Sequence, residues 1–401
     1  MNTDLFEELL KKPSNFKDES TLDINFVPDR LPHRRKELSL LSQLFLTLLT
    51  NPNVISRKIL ITGKTGIGKT VTVKLFGMIL SEASKKRNIS LKYIHVNCRK
   101  ERTSYKVLIK IIQSLNNNFP KRGYSSQDLL ESINNYLNVQ NQHLLIVLDE
   151  LNYLIKKDKD VIYSLTRLND DSFNVPQRLS IIGIVRDISC INNLDASTLS
   201  TLQRNIIKFD VYTNQQIFDI LKFRAELSLK KNVISDELIK MISNIVFVEG
   251  DIRYGLNLLW KACKIAESKD LKLITSECVR LANQDLVPFS TLDVLKDMPV
   301  QKLIFLLSIV ILLKKKKEPQ ISFMEILKSY LVLCENTGMN PRSYSQLWHY
   351  LQEHKRENLI TINLKSKEIR GRRALVEIQD IPLPKYEEII IDILNSKGIK
   401  I

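Results

Sequence analysis

No apolar run in this sequence is long enough to cross a bilayer. The longest, Leu303-Ile304-Phe305-Leu306-Leu307-Ser308-Ile309-Val310-Ile311-Leu312-Leu313, falls well short of the roughly 20 residues a spanning helix needs, and it reads as a buried helix. No basic-plus-apolar leader opens the chain either. Met1-Asn2-Thr3-Asp4-Leu5-Phe6-Glu7-Glu8 is acidic and amphipathic, so no targeting segment is expected. Cysteine patterning is missing: Cys98, Cys190, Cys263, Cys278 and Cys334 are odd in number, and no two stand at a metal-ligand spacing. Small core cysteines in a reducing intracellular setting are therefore expected, and the 5 scattered histidines give no zinc pattern. Acidic charge is short as well. Against 44 Asp+Glu stand 60 Lys+Arg, a net +16 that points to a polyanionic partner but also fits a ribosome-associated or merely soluble protein. Residues 288–401 carry 18 Lys+Arg and 13 Asp+Glu, or +5, close to their proportional share, so any nucleic-acid argument must rest on local clusters. At 401 residues and 44% hydrophobic content, two or three globular domains with buried cores are expected.

What is present is sharper. Gly63-Lys64-Thr65-Gly66-Ile67-Gly68-Lys69-Thr70 fits the G-x-x-x-x-G-K-[ST] phosphate-loop pattern. The apolar strand Lys58-Ile59-Leu60-Ile61-Thr62 precedes it and an apolar repeat at helical spacing follows, a context that separates it from a chance glycine-rich turn. Glycines let the backbone turn tightly and aim successive N–H groups at phosphate oxygens, at the positive end of a helix. Lys69 is expected to reach the β- and γ-phosphates, and Thr70 to offer its hydroxyl to Mg²⁺. Further on, Leu144-Leu145-Ile146-Val147-Leu148-Asp149-Glu150 is a buried strand ending in two carboxylates. Paired with a phosphate loop, Asp149 would hold the Mg²⁺ shell and Glu150 would orient or deprotonate the attacking water.

Residues 1–26 lack a sustained apolar period and read as an arm with only local structure. An amphipathic helix through about Leu49 follows, with Leu38, Leu41, Leu44, Phe45, Leu48 and Leu49 on one face, and Pro52 ends it. After the phosphate loop, apolar strands over 92–98, 144–148, 179–185 and 206–211 alternate with helical patterns, which argues a parallel α/β sheet. Helices near 105–115 and 126–139, separated by Phe119-Pro120-Lys121-Arg122-Gly123-Tyr124-Ser125, exceed a plain crossover and read as an insertion. From Asn214 the pattern is helical only, over 215–229, 235–248, 251–269 and 275–285. Helices over 300–315 and 322–337, and one opened by Asn340 as N-cap and Pro341 as first residue, lead to two strands over 359–364 and 374–379. Helices followed by a two-stranded wing predict a winged helix.

Five segments recur in a characteristic order: Asp29-Arg30-Leu31-Pro32-His33-Arg34, the phosphate loop, Leu148-Asp149-Glu150-Leu151, Leu179-Ser180-Ile181-Ile182-Gly183-Ile184, and Glu249-Gly250-Asp251-Ile252-Arg253. From about residue 27 to 380 the chain thereby resembles the archaeal replication initiators, which are similar to the eukaryotic origin-recognition subunits and the cell-division-cycle helicase loader. The resemblance implies an α/β plus α fold. It places an AAA+ P-loop parallel-sheet base at 27–212, a helical lid at 213–286 and a C-terminal winged-helix DNA-binding domain at 287–401. It implies ATP or ADP with Mg²⁺ as cofactors. Arg253 matches the sensor-2 arginine that reaches from lid to nucleotide, with Tyr212 as a further nucleotide contact, so that lid position depends on the nucleotide. A surface arginine paired with Glu249 or Asp251 is the plainer alternative. Lys121 and Arg122 fall at the family's DNA-contacting insertion, where a solvated loop is the alternative.

The chain also departs from that family. Gly183-Ile184-Val185-Arg186 brings an arginine to the sensor-1 position in place of asparagine, and an arginine can only donate. Ser197 stands where relatives carry an arginine that completes a neighbour's site, with Arg204 as the available substitute. Slow hydrolysis is expected.

In the expected winged helix, the helix opening at Pro341 presents Arg342, Ser343, Tyr344, Gln346, His349 and Tyr350, while Leu347, Leu351 and Trp348 pack inward. The wing carries Lys365, Lys367, Arg370, Arg372 and Arg373 about Gly371. Phosphate contacts should supply most of the affinity and weaken with salt, Arg342 or Gln346 should read bases, and the wing arginines suit the minor groove. Lys314-Lys315-Lys316-Lys317 reads as a solvated corner. The expectation is a cytoplasmic, nucleoid-associated initiator that binds double-stranded origin DNA, acts with the replicative helicase or other initiator paralogues, and needs no membrane. Two other classes share the module order: a P-loop signalling ATPase with a protein-binding winged helix, and a clamp-loader-like motor.

Overall fold

Apolar runs in the first half of the chain form a parallel sheet covered by helices, its three inner strands buried almost throughout and its two edge strands only in part. The strands are β1 (Lys58–Thr62), β2 (Leu91–Asn97), β3 (His143–Asp149), β4 (Leu179–Val185) and β5 (Ile206–Lys208). Every residue of β3 and β4 is buried. All pairings are parallel, in the order β2-β3-β4-β1-β5. The last strand stops at Lys208, short of the expected 206–211. Phe209 N still donates to Thr62 O at 2.8 Å, and Asp210 O accepts from the Arg34 side chain at 3.1 Å.

The computed structural model describes residue 7 and residues 13–52, 54–158, 160–166, 176–203, 205–316, 320–357, 359–366, 372–378 and 382–399. The chain divides into two units, Phe16–Asn257 and Leu258–Ile401 with Met1–Asn15.

In the first unit the sheet is flanked by α1 (Arg35–Thr50), α2 (Lys69–Lys85), α3 (Ser104–Leu115), α4 (Ser126–Val139), α5 (Asn152–Lys157), α6 (Asp160–Thr166) and α7 (Ala196–Gln203). The inserted pair is a real part of the core. Val107, Leu108 and Ile111 of α3 and Leu129 and Ile133 of α4 pack with Ile94, Ile146 and Leu148 of the sheet, each fully or nearly fully buried. Such burial contributes about 1.5–3 kcal/mol per large side chain. Ser125 and Asp128 close a reciprocal capping box at the start of α4, with hydrogen bonds of 2.7 and 3.1 Å.

Helices α8 (Asn214–Ser228) and α9 (Asp236–Glu249) follow the sheet, and α10 (Ile252–Ser268) spans the division between the units. Where the sequence reads only a polar arm, residues 16–26 are docked on α8. Lys17 N donates to Ser228 O at 2.7 Å, and the buried Arg224 donates to Thr21 O at 2.7 Å and Asp23 O at 3.0 Å while stacking on Phe26. The anchoring groups are backbone carbonyls, which side-chain patterning does not display.

The second unit continues with α11 (Ser276–Gln284), α12 (Phe289–Asp297), α13 (Val300–Lys316), β6 (Ile321–Ser322), α14 (Phe323–Thr337), α15 (Tyr344–Arg356), β7 (Thr361–Ser366), β8 (Arg372–Glu377) and α16 (Leu383–Ser396). The long apolar run forms the buried spine α13. Around it gather Phe323, Ile326, Tyr330, Leu347, Leu351, Tyr386 and Ile390. Strand β6 makes the wing an antiparallel three-stranded sheet, β6-β8-β7, rather than two strands alone. The expected helix start at Asn340-Pro341 is corrected: α15 begins at Tyr344 after Ser343. The segment before it is held by other helices, since Asn340 O accepts from Gln301 Nε2 at 3.1 Å and Arg342 N donates to Tyr330 Oη at 3.2 Å.

Candidate nucleotide site and nucleic-acid interface

Strand register decides which residues can act together. Thr62 pairs with Val185 and Asn97 with Asp149, so β1, β4, β3 and β2 end along one edge. Gly63, Arg186 and Glu150, each the next residue in the chain, therefore emerge side by side at the carboxyl ends of the strands, where open parallel sheets bind ligands. The phosphate loop turns through Gly66 at φ 76° and Gly68 at φ 87°, left-handed conformations that favour glycine, and Gly68 caps α2. Lys64 is exposed, Thr65 half-buried and Ile67 buried. Lys69 folds back beneath the loop and donates from Nζ to Gly63 O and Lys64 O, both at 2.5 Å. Burial lowers its pKa to about 8, against the opposing pull of Glu150 and Asp149.

Thr70 Oγ1 donates to Asp149 Oδ2 at 2.9 Å, and the same oxygen meets His95 Nε2 at 3.0 Å. His95 Nδ1 lies 3.0 Å from Tyr93 Oη, and Glu150 N donates to Asp149 Oδ1 at 2.9 Å. Burial alone would raise the Asp149 carboxyl, yet these hydrogen bonds outweigh it and hold the pKa below the ordinary carboxylate value. His95 is absent from the sequence-based site. Its signal is faint: a polar residue two places before the end of β2.

Glu150 sits at φ 54° and is gripped at both oxygens by Arg186, whose Nε donates to Oε2 at 2.9 Å and Nη2 to Oε1 at 3.2 Å. The sequence foresees Arg186 as a donor but not its partner. Ser197 is half-buried in α7, and Arg204 lies outside the described residues.

On the α10 side, Ile252 N donates to Gly66 O at 3.2 Å, which seats the segment on the phosphate loop. Arg253 forks onto Asp251, with Nη2 2.6 Å from Oδ2 and Nε 3.0 Å from Oδ1, so the expected sensor arginine is joined to the acidic neighbour foreseen as its plainer partner. Arg34 is the other residue without an assigned role in the sequence. Its Nη2 donates to Ile67 O at 2.8 Å and its guanidinium lies 4.0 Å from the Tyr212 ring. Tyr212 in turn faces Gly68, where a Cβ would stand 2.8 Å from its hydroxyl.

The candidate nucleic-acid residues fall in separate places. Lys121 and Arg122 are exposed on the loop joining α3 and α4. Tyr105 Oη holds that loop by donating to Lys121 O at 2.9 Å, and the Phe119 and Tyr124 rings close its base at 4.8 Å. Arg342, Ser343, Tyr344 and Gln346 are exposed at and before the start of α15, whereas Leu347 and Leu351 are buried and Trp348 packs edge-on against Phe323. The side chains of Lys365, Arg372 and Arg373, and all of Lys367 and Arg370, lie outside the described residues. Two lysines of the basic corner are paired, Lys314 with Glu387 and Lys316 with Glu325.

Three stretches match known families: an AAA domain over residues 56–185, a Cdc6 AAA+ ATPase-type lid domain over 218–284 and a CDC6 C-terminal winged helix domain over 293–382. The chain is 33% identical to the ORC1-type DNA replication protein 2 of Sulfolobus acidocaldarius, across 98% of this chain and 96% of that one. Among solved structures it is similar to the Aeropyrum pernix ORC1 protein in complex with DNA, with a TM-score of 0.75, 26% identity and coverage of 94% and 97%. It is similar also to Cdc6p from Pyrobaculum aerophilum, with a TM-score of 0.63, 27% identity and coverage of 96% and 100%. Identity of this extent over nearly the full length of both chains makes the protein a member of the archaeal ORC1-type DNA replication proteins, built as an AAA+ base with a Cdc6-type lid and a C-terminal winged helix.

Proposed function

We propose that the protein is a nucleoid-associated replication initiator that binds double-stranded origin DNA and uses ATP or ADP with Mg²⁺ as a conformational switch. The carrying observation is the Thr70 hydroxyl resting on the buried Asp149 carboxylate at 2.9 Å beside the phosphate loop. A hydroxyl and one carboxylate suit Mg²⁺, which takes its remaining oxygens from water and phosphates, and among the described residues no larger cluster of His, Cys, Asp or Glu is poised for a metal. Thr70 and Asp149 would hold Mg²⁺, which would supply charge neutralisation at the phosphates. Lys69 supplies a cation to the phosphates, the phosphate-loop amides of residues 63–70 supply donors, and Glu150 orients the attacking water. Arg253 and Tyr212 complete the nucleotide contacts. Hydrolysis is slow, because the sensor-1 position carries Arg186, which can only donate, and Ser197 stands where an arginine would complete a neighbour's site.

The functional division follows the arm at 1–26, base at 27–212, lid at 213–286 and winged helix at 287–401. Exposed Lys121, Arg122, Arg342, Ser343, Tyr344 and Gln346 support the DNA reading, as does the similarity to an initiator solved with DNA. The wing residues Lys365, Lys367, Arg370, Arg372 and Arg373 are assigned to the same duplex on sequence. Helicase and paralogue partners follow from the initiator role.

The test compares origin-like and random duplex by fluorescence anisotropy across a salt series, for wild type and an Arg370/Arg372/Arg373→Ala variant. Preference for the origin that collapses in the variant, with a shallower salt slope, supports the initiator. Absence of DNA binding at moderate salt overturns it in favour of a signalling ATPase. Rapid turnover without DNA overturns the slow-hydrolysis part.

A further inference from the structure

Arg186 and Glu150 form a two-point ion pair at the edge of the sheet, and its construction is specific. Each residue directly follows the last residue of its strand, β4 and β3, which are neighbours in the sheet. Both carboxylate oxygens accept from the guanidinium, at 2.9 and 3.2 Å. The left-handed φ of 54° at Glu150 turns its main chain as the strand ends. Tyr153 stands beside the pair, with the Arg186 guanidinium 5.6 Å from its ring centre. Arg99 and Arg102 approach the same ring at 5.6 and 5.7 Å.

Three guanidiniums over one ring repel each other unless anions lie among them, and Glu150 is one such anion. The pair is half-exposed, with side-chain exposures of 29% and 25%, so a second anion can compete for Arg186 without first dismantling a core. Asp149, whose peptide bond joins Glu150, is the residue that faces Thr70 of the phosphate loop. Arg186 emerges from β4 beside Gly63, which opens the phosphate loop from β1.

We propose that Arg186 is a positioning residue that latches Glu150, and that the latch distinguishes nucleoside triphosphate from diphosphate. With no γ-phosphate present, Arg186 holds both oxygens of Glu150 and keeps the glutamate from a water. A γ-phosphate competes for Arg186 and releases Glu150 to act. The proposal rests on the nucleotide-binding reading above. It ties release of the glutamate to the one phosphate that differs between ATP and ADP.

The test is equilibrium binding rather than turnover. Dissociation constants for Mg-ADP and for a non-hydrolysable ATP analogue are measured calorimetrically on wild type, Glu150→Gln, Arg186→Gln and the double variant. Both substitutions keep side-chain length close to the original, and circular dichroism checks the fold. Glu150→Gln frees Arg186 and is expected to raise the analogue-to-ADP affinity ratio by about fivefold. Arg186→Gln lowers that ratio, and adding Glu150→Gln to it changes nothing further. A ratio equal in all four proteins, or an effect of Glu150→Gln that persists without Arg186, overturns the latch while leaving the nucleotide site standing. Failure of wild type to bind either nucleotide overturns both.

Discussion

Asp251 stands against Gly66 so closely that a Cβ on residue 66 would lie 2.1 Å from its Oδ1. The carboxylate cannot retreat: the residue is 2% exposed, and its oxygens hold the Arg253 fork. Gly66 also has φ 76°, which costs an L-residue about 1–2 kcal/mol before any clash. Gly66→Ala is expected to lower unfolding stability by at least about 2 kcal/mol in urea titrations and to abolish nucleotide binding.

The charge on Lys69 should make nucleotide binding depend on pH. Its pKa of about 8 in the folded protein lies below the ordinary 10.5 because burial penalises the ammonium. Between those values the unfolded chain binds more protons, so this group adds stability as pH rises through the window, and below about 8 its penalty is present in full. Phosphates favour the charged form, so ADP binding at about pH 8.5 should take up part of a proton. Calorimetry in two buffers of different ionisation enthalpy measures the uptake, and Lys69→Arg should abolish it.

Docking of residues 16–26 on α8 depends on Arg224. The side chain is buried, with two backbone carbonyls at 2.7 and 3.0 Å. Arg224→Ala leaves Thr21 O without its donor, removes one of two donors from Asp23 O and should cost about 2–3 kcal/mol. Hydrogen exchange should rise at Lys17, whose amide bonds Ser228, while exchange within β3 stays slow.

Lys121 and Arg122 offer a test of the insertion that is independent of the wing. Both are exposed on a loop tied down at Tyr105 and Ser125, so replacing them leaves the packing alone. Lys121→Ala/Arg122→Ala should weaken duplex binding equally for origin and random sequences and reduce the salt slope by about 2, near 0.9 for each phosphate contact. An unchanged slope would mark the loop as merely solvated.

Much of the base was legible because its signals are local. A run such as Leu144–Leu148 has no polar alternation and so must be buried on both faces, and a phosphate loop between strand and helix carries its geometry in its own glycines. Asp149 was legible from its place at the end of such a run, and the structure puts Thr70 on it. The helix over Leu383–Ser396 was missed although Tyr386, Ile390, Ile393 and Leu394 recur at helical spacing. The start of α15 was misread because an Asn-Pro pair satisfies local capping rules, while Tyr330 and Gln301, distant in sequence, hold that backbone outside the helix.

Local pattern was enough for the inner strands and most helices of the base, for the phosphate loop and for the carboxylates at the end of β3, since each follows from periodicity or spacing within a few residues. The pairings among these residues come from the fold. His95 meets Asp149 and Arg186 meets Glu150 because strand order and register bring distant segments to one edge of a sheet, while Asp251 meets Gly66 and Arg34 meets Tyr212 where other segments hydrogen-bond to the phosphate loop. A charged side chain finds its counter-charge by proximity in space, and no local pattern encodes that proximity.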